Sequence, residues 1–259
     1  MTAAPPLAFI TGASSGIGQA LALRYYQAGY RLALVARRDQ AITAWAQAQD
    51  IEPARYRVYA ADVSVIDSIV SAGQQCLQLQ GLPEVVIANA GISIGVDSTQ
   101  REDMDAMGRV FATNNIGVAA TFHPFVGPMR TRGSGTLVGI ASVAGIRGLP
   151  GHGAYCASKA AAISYCESLR GELRGTGVRV VTLAPGYVDT PLTQKNRYPM
   201  PFLMTAEAFA QRAFGAIAAG ASYRVIPWQM GWVANLLRLL PNAVFDRVMA
   251  GQPRKHRGG

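Results

Sequence analysis

Several things are scarce in this sequence, and each scarcity removes a class of function. Acids are few, 15 against 24 Lys and Arg, leaving a net charge of +9. Such an excess suits nucleic acid, anionic lipid or a phosphorylated ligand. Apart from the tail "PRKHRGG" the bases are scattered, and no basic stripe is interleaved with aromatics. Nucleic-acid binding is therefore not expected. Cysteine is limited to Cys76, Cys156 and Cys166, without metal-ligand spacing and in an odd number. This argues against a zinc site or a disulfide framework and for a reducing cytoplasm, with the three thiols as small buried hydrophobes. Charged residues make up only 15% and hydrophobic ones 50%, which excludes a disordered chain. "MTAAPPLAFI" has neither a basic segment nor a long apolar core, so no signal peptide is expected. The apolar segment "PWQMGWVANLLRLLP" (227–241) is too short, and interrupted by Arg238, to span a membrane.

What is present is an alternation. Short apolar runs occur at 7–11, 31–36, 55–63, 84–91, 135–142 and 178–186. Helix-length segments separate them: Ile17 to Ala28, then 39–49, 65–80, 102–131 and 154–175. Continuous apolar strands alternating with helices predict an α/β fold, a doubly wound parallel sheet covered on both faces. The 259 residues suit one Rossmann-like domain of about seven strands. Residues 191–205 read as a substrate lid or a plain surface loop. Residues 206–250 read as a C-terminal helical extension with the last strand.

In a doubly wound sheet, ligands bind beyond the carboxyl ends of the strands. "TGASSGIG" (11–18) follows the first strand. Gly12, Gly16 and Gly18 permit a tight turn and close backbone approach, with Ser14, Ser15 and Ile17 between them, and the helix behind offers free N–H groups to a phosphate. After the second strand, a carboxylate would receive a ribose 2′-hydroxyl. Here Ala36 is followed by Arg37 and Arg38, whose guanidinium groups favour a 2′-phosphate, hence NADP(H) over NAD(H). The alternative is a pair of solvated surface arginines. Tyr155 and Lys159 in "AYCASKAA" share a helix face, which taken alone is ordinary helix surface. His152 nearby is expected to line a pocket or the surface rather than to act as a base.

In order, these segments resemble the short-chain dehydrogenase/reductase family over nearly the whole length. "TGASSGIG" resembles its cofactor loop. "ADV" places Asp62 and Val63 at the adenine. "NAG" places Asn89, Ala90 and Gly91 along the cofactor. "NNIG" places Asn114 at the catalytic asparagine, with Asn115 as the rival. Ser142, thirteen residues before Tyr155, takes the place of the catalytic serine, although Ala141 stands where a first serine is often found. "YCASK" resembles YxxxK. "PGYVDT" places Pro185, Gly186, Val188 and Thr190 at the nicotinamide carboxamide.

The resemblance implies hydride transfer between a nicotinamide and a carbonyl or alcohol. Tyr155 would be the acid/base, its pKa lowered by the Lys159 ammonium one turn away. Ser142 would orient the substrate oxygen. Lys159 would also hold the nicotinamide ribose, and Asn114 would fix a water in a proton relay. The substrate pocket is expected from Ile92 to Val96, residues 145–152 and the 191–205 insertion. A homodimer or homotetramer would form through the helices at 102–131 and 154–175. A turnover-deficient dinucleotide sensor is the competing reading, disfavoured because all four catalytic positions are filled. For the apolar residues of 227–241 (Trp228, Trp232, Leu236, Leu239 and Leu240), core packing or a subunit interface is preferred to capping of the cleft or peripheral contact with lipid.

Overall fold

A computed structural model describes residues 4–194, 196, 199–251 and 257. Strand β1 (Leu7–Thr11) is apolar and fully buried because both its faces are covered. Helix α1 (Gly16–Gln27), β2 (Arg31–Ala36), α2 (Asp39–Ala48) and β3 (Tyr56–Ala60) follow. After α3 (Ile66–Leu79) the chain returns to the middle of the sheet as β4 (Val85–Ala88). It continues through α4 (Asp103–Phe111), α5 (Gly117–Arg132), β5 (Gly135–Ile140), α6 (Gly153–Glu172) and β6 (Val178–Pro185). Then come α7 (Ala206–Ala218), β7 (Tyr223–Ile226), α8 (Trp228–Leu239) and α9 (Asn242–Met249).

The strands form one seven-stranded sheet in the order β3-β2-β1-β4-β5-β6-β7. All six pairings are parallel. Along β1, Ala8 and Ile10 join the core under α1, α2 and α7, whereas Leu7 and Phe9 join the core under α3, α5 and α6. This alternation gives the sheet two dry faces. The winding direction changes between β1 and β4, which opens a crevice above their carboxyl ends.

Several strands are shorter than their apolar runs, 84–91 giving only Val85–Ala88, and one helix is interrupted. The run 55–63 yields only Tyr56–Ala60, its last ladder bond running from the Ala61 amide to the Ala36 carbonyl at 3.2 Å. The helix expected over 102–131 is divided by a π-helical turn, Ala112–Ile116. Inserting a residue into an α-helix in this way is rare and tends to occur at functional sites.

Candidate active site

The first wall of the crevice is the turn after β1. Gly12 and Gly16 adopt φ of +67° and +53°, a region open to glycine at little cost. A Cβ on Gly18 would stand 2.1 Å from the Gly12 carbonyl oxygen, so α1 can approach the turn this closely only without a side chain there. Ser15 caps α1 in an extended conformation without a side-chain cap bond, and the first turn has no acid. Its leading N–H groups are thus available to an anion. Asn89 supports this turn from β4, donating from Nδ2 to the Thr11 carbonyl at 2.9 Å. Thr11 Oγ1 accepts from the Asn89 and Ala90 amides at 3.0 and 3.2 Å. Thr11 is a support that the sequence reading did not single out.

At the far end, Ala36, Arg37, Arg38, Asp62 and Val63 line the crevice. Arg37 approaches Asp62 at 3.7 Å. Burial pushes the Asp62 carboxyl up, but hydrogen bonds from the Ser64 amide and hydroxyl, together with the Arg37 guanidinium, outweigh it and hold the group below the usual range. Arg109, Ala112 and Thr113, one turn apart on α4 and the π turn, also line the cleft. Only their spacing on one helical face could have indicated them.

The chemistry-bearing residues meet at the ends of β5 and α6. Ser142 is buried and begins a 3-10 turn, its Oγ accepting from the Ala144 amide at 3.2 Å. Tyr155 faces Ser142 from α6 and hydrogen-bonds with it. One turn on, Lys159 Nζ lies 5.8 Å from the Tyr155 ring centroid and donates to the Ile140 carbonyl at 2.8 Å. Lys159 is 4% exposed, and burial lowers its pKa to about 8. The expected lowering of Tyr155 by Lys159 is not what this environment produces. Burial raises the phenol, the Ser142 hydrogen bond opposes the rise, and Lys159 directs a proton to Ile140 instead.

Asn114 sits fully buried in the π turn, whereas Asn115 is half-exposed. Its Oδ1 accepts from the Ile92 amide at 2.8 Å, and its Nδ2 donates to the Ile92 carbonyl at 2.9 Å and to Ser158 Oγ at 3.0 Å. Both donors and one lone pair are engaged, so the side chain holds the post-β4 loop and has little capacity left for the water expected of it. A Cβ on Gly91 would lie 3.3 Å from Asn114 Oδ1 and 3.4 Å from Lys159 Nζ, which explains the small residue between them.

The loop after β6 closes the last side, with Pro185, Gly186, Val188 and Thr190 on the wall. It packs directly on the first turn, since a Cβ on Gly16 would stand 2.9 Å from Thr190 Cγ2. Within the insertion, Met204 is pinned against Val188 by a parallel bridge, while Leu192, Phe202 and Leu203 are exposed. Lys195, Arg197 and Tyr198 of that insertion lie outside the described residues. His152 is buried, with Nδ1 3.1 Å from the Pro150 carbonyl oxygen, and does not line the cleft.

The cleft encloses about 820 Å³ and runs from Arg37 past the glycine turn to Tyr155 and Thr190. Every catalytic and cofactor-binding residue expected from the sequence lines it except Gly18 and Asn114, which support its wall from behind, and the loop 145–152 expected at the substrate pocket does not line it. Among the described residues, no acid/His/Cys cluster could hold a metal, and no helix is long and apolar enough to cross a membrane. All three cysteines are free and buried.

Residues 6–200 match the family model described as short chain dehydrogenase. An uncharacterized oxidoreductase of Myxococcus xanthus is 38% identical, over 92% of this chain and 94% of that protein. A short chain dehydrogenase/reductase of Burkholderia phymatum, solved in complex with NAD, superimposes with a TM-score of 0.81 at 25% identity, covering 90% of this chain and 92% of the other. An alcohol dehydrogenase of Thermococcus sibiricus, complexed with 5-hydroxy-NADP, gives 0.74 at 26% identity, covering 85% and 95%.

Proposed function

The chain belongs to the short-chain dehydrogenase/reductase family of oxidoreductases, and from that premise we propose that it interconverts a carbonyl and an alcohol on an apolar small molecule, with NADP(H) as cofactor and Tyr155 as the acid/base. One observation carries this reading. Ser142, Tyr155 and Lys159 converge at one end of a cleft whose other end presents Arg37 and Arg38. The cleft fits a dinucleotide: the glycine turn leaves room for backbone against phosphate, and the two arginines suit a 2′-phosphate better than a hydroxyl.

The cofactor, when bound, supplies or accepts the hydride. The protein's own part is proton handling and orientation. Ser142, fixed by its turn, holds the substrate oxygen toward Tyr155. In the reducing direction Tyr155 donates its proton to that oxygen as negative charge builds there. Lys159, with a pKa near 8, stands one helical turn away as the group from which the proton is returned to Tyr155. Ile92, Ile94 and Leu192 give the wall near the reacting end its apolar character. Residues 191–205 would exclude water as a lid. The buried, free cysteines agree with a reducing cytoplasm.

The test follows NADPH oxidation across a panel of steroid, acyl-thioester, sugar and lipid ketones, with wild type and Tyr155→Phe. Wild type is expected to turn over at least one apolar member. The variant should bind NADPH normally and lose about two to four orders of magnitude in rate, the usual weight of a general acid. Near wild-type activity in Tyr155→Phe would remove the assignment.

A further inference from the structure

Trp228, Trp232, Leu236 and Leu239 are 64%, 73%, 64% and 80% exposed. Their spacing sets them along one side of α8, opposite Met230 and Ala234, which are buried. Neither core packing nor capping of the cleft accounts for them, because they face outward and the cleft is lined without them. A stripe of four large apolar side chains marks an interaction surface.

The charges around it identify the partner. From Tyr223 to Met249 there are three arginines and a single acid, Asp246. Arg224, Arg238 and Arg247 are exposed. At the N-terminal end of α8 a groove of about 400 Å³ lies between Arg212 of α7 and Arg224 of β7, walled by Pro227 and Trp228. A two-fold contact of this face with a second copy would set these cations against one another. An anionic lipid surface instead meets the guanidinium groups with phosphates and the stripe with acyl chains, and Trp rings favour the headgroup boundary. We propose that α8 docks the protein on an anionic lipid surface, with Trp228, Trp232, Leu236 and Leu239 entering the interface and the Arg212–Arg224 groove receiving headgroup phosphate. The docked helix is continuous with the active-site side of the molecule. Arg147, five residues after Ser142, donates to the Leu237 and Leu240 carbonyls and stacks 3.8 Å from the Phe245 ring centroid.

The experiment uses the full chain with phosphatidylcholine vesicles, with and without about one-third phosphatidylglycerol. Two of the three tryptophans lie on the stripe, so intrinsic fluorescence reads the contact directly. Co-sedimentation and a blue shift are expected with the anionic vesicles. Trp232→Glu/Leu239→Glu and, separately, Arg212→Glu/Arg224→Glu should each weaken partitioning roughly tenfold or more. Both pairs are exposed, and unchanged thermal melting will confirm that they fold. Failure of wild type to bind anionic vesicles would overturn the proposal, as would equal binding to the neutral ones. So would a fall in oligomer mass on Trp232→Glu/Leu239→Glu without vesicle binding, which would make the stripe a contact between copies.

Discussion

Burying the Lys159 ammonium removes it from water, and one hydrogen bond to the Ile140 carbonyl only partly replaces that solvation. Its pKa of about 8, below the ordinary 10.5, is the measure of this cost. Because the folded value is depressed, the unfolded chain binds the proton more tightly, and the cost is fully present below pH 8. It diminishes as pH rises from about 8 to 10.5, where the folded lysine is neutral and the unfolded one still charged. Lys159→Met should therefore raise the melting temperature at neutral pH by about 2–4 °C or more, with the gap to wild type closing toward pH 10, while turnover is lost. A variant less stable than wild type across the whole range would contradict this reading. Arg37 poses the opposite case, an exposed charge whose value depends on what binds beside it. Charge-assisted hydrogen bonds to a 2′-phosphate contribute about 1.5–3 kcal/mol each, roughly ten- to hundredfold in affinity. Asp62, 3.7 Å from Arg37, tempers its charge. Titration should find NADPH bound more tightly than NADH, with preference passing toward NADH in Ala36→Asp/Arg37→Ala. Equal wild-type affinities would make the arginines solvated surface only.

The turn after β1 shows how an element depends on what is left out of it. Gly18→Ala would place a methyl group 2.1 Å from the Gly12 carbonyl, too close for any rotamer to relieve. Either α1 retreats or the turn opens, and both deform the anion cradle. Dinucleotide affinity should fall at least about tenfold, with a loss of about 1–3 kcal/mol in stability, as for other overpacked positions. Unchanged affinity by titration calorimetry would mean that the close approach has no role in binding. This element was legible in the sequence because glycine spacing after an apolar strand has few other uses. Most strands were legible for a similar reason: buried on both faces, they read as continuous apolar runs. The π turn was not, since an inserted residue in a helix leaves no mark on local composition. Nor was the role of Thr11, whose partners Asn89 and Ala90 lie 78 and 79 positions away. Asn114 was located by its motif, but its commitment to Ile92 and Ser158 depends on how the π turn aims it.

At the scale of the molecule, the question is which surfaces remain for other copies of the chain once α8 is assigned to lipid. The sequence pattern of 227–241 showed an apolar segment with basic neighbours but not which side chains the fold would leave outside, because that depends on what α8 packs against. The structure buries Met230 and Ala234 and leaves the tryptophans out. Helices α4 and α5 expose Met104 and, at the π turn between them, Ile116, so this side also presents apolar surface. It is the side through which the family resemblance expects subunits to pair, together with α6. A homodimer built through those helices would use elements other than α8, so that each copy would keep its own stripe and cationic groove. Linked docking sites strengthen attachment well beyond that of one site, provided the geometry lets them engage together. Light scattering at micromolar concentration should give a dimer or tetramer for wild type, with the same mass for Trp232→Glu/Leu239→Glu. A monomer in wild type would contradict the expected assembly.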